Sequence, residues 1–125
     1  MWFVTSEQTA GRGRRLRPWV APRGNLASSI LEVMDIAPAV AATLGFAAGL
    51  ALESALRRLS IEAALRKVGS DDLTFALKWP NDVLAGRQKL AGILLEAEAV
   101  GEGLAVVVGI GTNVVAAPSD TPTPA

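Results

Sequence analysis

Between Asp35 and Glu53 the chain runs for seventeen residues without a charge, and that stretch restricts the available folds more than any other. Pro38 stands where a helix starts well, because the N–H that proline lacks would have no intrahelical partner in a first turn. From Ala39 to about Leu59 the chain is rich in Ala and Leu, both strong helix formers. Gly45 and Gly49 are four residues apart and so share one side of that helix. In a membrane such small-xxx-small spacing pairs helices; in a soluble protein it lets a helix lie close to a sheet. The run is shorter than the roughly twenty residues a bilayer needs, and it is Ala/Gly-rich rather than Leu-rich. We therefore expect a buried core helix and no membrane partner. Ser60–Val68 continues it, with Arg57, Arg58, Arg66 and Lys67 solvated near its end.

Around the helix the pattern is that of strands. Trp2–Thr5 is a short β-favouring run, and Asn25–Val33 alternates in part. Gly69–Asp72 reads as a loop. Leu73–Trp79 reads as a strand stopped by Pro80, which cannot donate to a ladder. Asn81-Asp82 turns, Val83–Ala85 resumes, and Gly86-Arg87 marks a hairpin tip. Lys89–Val100 is a strand interrupted at Gly92, where something approaches closely. Gly101–Gly103 is a second hairpin turn. Leu104–Ile110 is nearly all apolar, as in a sheet centre covered on both faces. Gly109–Asn113 ends it with two glycines and a polar tip. Residues 1–117 then form one domain, and the Pro/Thr-rich residues 118–125 a tail.

Composition limits the chemistry. There is no cysteine and no histidine, so thiolate nucleophiles, disulfides, imidazole bases, Ser-His-Asp triads and most zinc sites are excluded. Absence of cysteine fits a reducing cytoplasm. Lys plus Arg equals Asp plus Glu, at 12 each, so no global field attracts nucleic acid. The cations are nonetheless uneven: Arg12, Arg14, Arg15, Arg17 and Arg23 place five of them within twelve residues. The first residues carry neither a basic n-region nor a long apolar h-region, so no signal peptide is expected.

Three polar clusters fall at strand ends or loops: Gln8–Arg17, Lys78–Asp82 with Lys89, and Gly109–Asn113. Taken singly each has a plain structural reading. A Gly/Arg run suits a solvated linker or a nucleic-acid contact, and Trp-Pro-Asn-Asp suits a strand-ending turn. Gly-x-Gly lacks the third glycine of a dinucleotide loop, and a single lysine is usually surface. Together they surround a small anion. Glycines let backbone amides approach it, and guanidinium forks suit phosphate or carboxylate. Without His or Cys, the chemistry that fits is charge stabilisation, as in transfer at the α-phosphate of ATP.

Gly11–Arg15, Trp19, Lys78–Asp82, Lys89–Leu94 and Gly109–Asn113 follow one another as in biotin–protein ligases, and the chain resembles the catalytic domain of that family from Val4 to Val115. The resemblance implies an α+β fold: a mixed or antiparallel β-sheet packed with helices, of the class II aminoacyl-tRNA synthetase-like, biotin–lipoate ligase type. It implies that biotin and ATP, with Mg²⁺, give biotinoyl-5′-AMP. A lysine on a biotin carboxyl carrier domain then takes the biotin. Arg14, Lys89 and Asp82 would be catalytic, with no protein-held metal. Gln8, Arg12, Gly13, Arg14, Lys89, Gly92, Leu94 and Gly109 would bind biotin, and Trp19, Asn81 and Asn113 the nucleotide. Two further readings stand beside this one: a lipoate ligase-like acyltransferase, and a truncated, inactive protein that holds biotin or the carrier. The partner expectations are a carrier domain, no DNA (no helix-turn-helix pattern is present), no membrane, and room for a homodimer. The family's Ser-Thr-Asn segment would lie upstream of Trp2, and the rest of its domain beyond Val115. Leu16 stands where the family commonly has glycine, which would stiffen the loop.

Overall fold

The computed structural model describes residues 1–66 and 75–114. Six strands, β1 (Trp2–Thr5), β2 (Leu26–Met34), β3 (Phe75–Lys78), β4 (Asp82–Ala85), β5 (Gln88–Val100) and β6 (Gly103–Thr112), form one sheet. Their order is β1-β2-β6-β5-β4-β3, and every neighbouring pair runs antiparallel. Two tight turns set the register of the second half. In each, glycine takes the first turn position, at φ 62° for Gly86 and 59° for Gly101, as two-residue hairpins favour. β6 extends to Thr112, so Gly109 and Gly111 lie inside the central strand rather than at its end. β5 is likewise unbroken at Gly92, contrary to expectation. The irregularity falls two residues earlier: Val83 pairs with Ala91 but Leu84 with Lys89, which leaves Leu90 as a one-residue bulge.

One face of the sheet carries the helices, α1 (Pro38–Ala41) and α2 (Leu44–Arg66). The expected single helix is broken at Ala42-Thr43, where the Thr43 hydroxyl donates to the Val40 carbonyl at 2.6 Å. Such side-chain bonding to the backbone competes with the helical ladder. Ala41, Leu104 and Val106 are buried together, with Ile36, Leu44 and Leu95 packed against them. Gly49 brings α2 onto the sheet, with Leu77 and Ile93 in ordinary van der Waals reach of a Cβ there; Gly45 faces open space. The helix is not buried all round, as expected, but one-sided. Pro38–Leu59 is long and apolar enough to cross a membrane by length and composition, and 11% of it is buried. Val40, Leu50 and Leu59 are exposed, because nothing among the described residues covers the outer side. Gly69–Asp72, Leu73 and the 118–125 tail lie outside the described residues.

Candidate active site

The other face of the sheet forms the site. Its register aligns Thr5, Ala27, Gly111, Gly92, Asp82 and Lys78 as successive cross-strand partners over all six strands. The next row is Phe3, Ser29, Gly109 and Leu94. In the middle, then, the floor has no side chains, and Trp19 lies on it. A Cβ on Gly111 would come within 2.5 Å of the Trp19 indole nitrogen, and one on Gly92 within 3.1 Å of the same ring. Gly111 must be glycine for the indole to sit there, and at Gly92 a Cβ would fit only if the ring gave by a few tenths of an ångström.

Trp19 reaches this place because the Gly/Arg segment is itself folded. The Trp19 amide donates to the Gly11 carbonyl at 2.9 Å, and the Gly13 amide to the Arg17 carbonyl at 2.6 Å. Between them Arg14–Leu16 make one 3-10 turn. Arg15 and Leu16 both have left-handed backbone, at φ 57° and 60°. The position that resemblance marks as glycine is thus one where glycine is favoured, and an exposed leucine occupies it.

Above the floor is an open cleft of about 1240 Å³. Every site residue expected from the sequence lines it: Gln8, Arg12, Gly13, Arg14 and Trp19 from the loop, Asn81 from the β3–β4 connection, Asp82 from the start of β4, Lys89, Gly92 and Leu94 from β5, Gly109 from β6 and Asn113 just after it. Arg15, Arg17 and Lys78 join them, so the cleft is locally cationic in a chain of zero net charge. The arginines are loosely held. Arg14 Nη1 is 3.4 Å from Asn81 Oδ1, and Arg12 Nη2 is 3.5 Å from both carboxylate oxygens of Glu96. Contacts at that length are weak, which leaves the guanidiniums free to turn toward an anion.

Lys89 is held more firmly. Its Nζ is 3.1 Å from Asp82 Oδ1, and both side chains are largely buried. That oxygen is sealed from solvent and has no donor in hydrogen-bond geometry, so its compensation is the charge of Lys89. The ammonium also lies 5.2 Å from the centre of the Trp19 ring, within cation–π range. Asn81 pairs with β5 through its backbone carbonyl, which accepts from the Ile93 amide at 2.8 Å. Its side-chain amide donates to the Ile93 carbonyl at 3.0 Å. Asp82 therefore opens β4 rather than completing a turn. Gly111, Ser29, Glu96 and Asn25 were not anticipated. Gly111 was visible as a glycine, but only cross-strand pairing shows that it stands opposite Gly92.

Chemically, the cleft offers convergent cations beside three carboxylates, Asp82, Glu96 and Glu98, and a flat floor. Among the described residues no group of three Asp, Glu, His or Cys side chains gathers to cage a metal.

The chain resembles known proteins both in sequence and in fold. A biotin–[acetyl-CoA-carboxylase] ligase of Paracoccus denitrificans is 47% identical over 118 residues, covering 94% of this chain and 45% of that protein. The bifunctional ligase/repressor BirA of Escherichia coli is 37% identical over 112 residues, covering 88% and 32%. Among solved structures, the Leishmania major biotin protein ligase in complex with biotinyl-5-AMP superposes with a TM-score of 0.74 at 30% identity, covering 99% of this chain and 51% of that one. The Aquifex aeolicus biotin protein ligase in complex with biotin and ATP gives 0.68 at 29%, covering 95% and 45%. The chain thus spans less than half the length of these curated relatives. The profile of the biotin/lipoate A/B protein ligase family matches residues 2–113, and the chain belongs to that family.

Proposed function

We propose that this chain carries the adenylate-forming site of a biotin–protein ligase, activating biotin with ATP and passing it to a lysine of a biotin carboxyl carrier domain. The observation that carries the reading is the convergence of Arg14, Lys89 and Asp82 over the glycine floor. Relatives of 30% identity and more bear ligase names, and solved neighbours hold biotin with ATP or as biotinyl-5-AMP.

In this proposal the flat bicyclic ring and tail of biotin lie along the floor of Gly92, Gly109 and Leu94, against Trp19. Because the indole sits on Gly92 and Gly111, it borders the biotin tail as well as the nucleotide. Lys89 faces the carboxylate as it attacks the α-phosphate and displaces pyrophosphate, where negative charge builds on the phosphoryl oxygens. Arg14 and Arg12 close on the same charge from the loop. Lys89, already held by Asp82, stabilises it with little reorganisation, while the loosely held arginines turn in on the ligand. Asp82 holds Lys89 in place in the free protein and stands beside the amine in the second step. Mg²⁺ commonly binds through one or two carboxylates plus substrate phosphates; Asp82, a single carboxylate already faced by Lys89, fits an ion carried in by the triphosphate. When bound, it would neutralise phosphate charge. A cytoplasmic setting is part of the proposal, with α2 lying on the sheet rather than in a bilayer.

Biotin-dependent ATP–pyrophosphate exchange on the 125-residue chain tests the reading. Exchange supports it. No exchange, with biotin binding retained, reduces the chain to a ligand-holding protein.

A further inference from the structure

We propose that Asn25 is a positioning residue for Lys89, acting through Asn113; the proposal rests on the adenylating role given above to Lys89. Asn25 is 3% exposed and stands just before β2. The turn that delivers it is fixed by Gly24 at φ 99° and by the Asn25 amide donating to the Pro22 carbonyl at 3.1 Å. Its side-chain Nδ2 donates to Asn113 Oδ1 at 3.1 Å. Asn113 in turn holds the bulge from which Lys89 projects. Its Nδ2 donates to the Lys89 carbonyl at 3.2 Å, and its main-chain amide to the Leu90 carbonyl at 2.7 Å. The regular β5–β6 ladder begins only at Ala91 and Thr112, so these two bonds extend it over the irregular residues.

The polarity of the relay is fixed. For Asn113 Nδ2 to reach the Lys89 carbonyl, its Oδ1 must face Asn25, and Asn25 must present a donor. An acceptor there would flip the Asn113 amide and set oxygen against the Lys89 carbonyl. The lysine would then lose its aim relative to Asp82 and the Trp19 ring, which the first step needs at the moment charge develops.

The test is Asn25→Asp, which keeps size and shape but replaces the donor by an acceptor. In ATP–pyrophosphate exchange kcat should fall about tenfold, the worth of roughly one net hydrogen bond, with little change in KM for ATP. Protonation restores an O–H donor, so the ratio of variant to wild-type kcat should rise as pH is lowered. In a Lys89→Gln background, Asn25→Asp should add no further loss. An undiminished kcat, a pH-independent ratio, or a full additional loss in that background would each overturn the proposal. Hydrogen exchange at the Asn113 main-chain amide gives a readout independent of activity. Asn25→Asp should speed it about tenfold, and unchanged protection overturns the inference whether or not the wild type turns over. A wild type that shows no pyrophosphate exchange, with protection at Asn113 lost in the variant, would instead fail the ligase reading alone.

Discussion

At Gly111 an added methyl group would meet the Trp19 indole at a distance that real Cβ contacts do not show. The obstacle is a rigid ring rather than the end of a flexible chain, so Gly111→Ala should lift Trp19 from the floor. We expect at least a tenfold loss of biotin affinity and a red-shifted tryptophan emission; titration calorimetry and fluorescence check both, and unaltered values would remove Trp19 from the pocket wall. Leu16 behaves oppositely. A leucine at φ 60° carries a left-handed cost of about 1–2 kcal/mol, and its side chain is 82% exposed with little packing to lose. Leu16→Gly should relieve that strain, offset in part by the freedom glycine gains in the unfolded chain. A net stability change within about 1 kcal/mol of zero, read by chemical denaturation, is the expected result. A loss of several kcal/mol would mean Leu16 packs somewhere after all. Residue types were legible at these sites, because arginine near glycine speaks of anions wherever it lies. What local sequence could not show was opposition: Gly92 and Gly111 are nineteen positions apart and become one floor only through the β5–β6 register.

The elements divide the same way. Hairpins were readable, since Gly86 and Gly101 announce themselves where positive φ is needed. Gly92 looked like a break in β5 because glycine weakens strands, yet it serves the approach of Trp19, and the bulge sits at Leu90. Apolar composition predicted helix for α2 correctly and burial incorrectly, since composition reports what a surface would favour and not whether another layer is there to cover it. Gly49 is the contact on which this helix turns. Its Cβ position has Leu77 and Ile93 at 3.5 and 3.6 Å, room for a methyl group and nothing larger. Gly49→Ala should therefore stabilise the protein by about 1 kcal/mol through helix propensity. Gly49→Leu should destabilise it by about 1–3 kcal/mol through overpacking. Chemical denaturation of the two variants measures both; if both destabilise, the helix lies closer to the sheet than described.

For the molecule as a whole, six of the twelve cations line the cleft, yet the charges of the chain balance. With a formal net charge of zero, no long-range repulsion keeps copies apart. Among the described residues β1 is an edge of the sheet, on a strand whose Trp2 and Val4 are each 65% exposed. An apolar, uncharged edge of this kind pairs readily with another. The isolated chain should consequently self-associate as its concentration rises, seen as a growing sedimentation coefficient. A lysine at an edge strand opposes such pairing by desolvation and like-charge repulsion, so Val4→Lys should shift association to at least several-fold higher concentration. Val4 lies outside the cleft lining, so biotin binding should be unaffected. Should Val4→Lys associate as the parent does, the contact belongs to the apolar outer side of α2 at Leu50 and Leu59, and charges placed there would dissolve it instead.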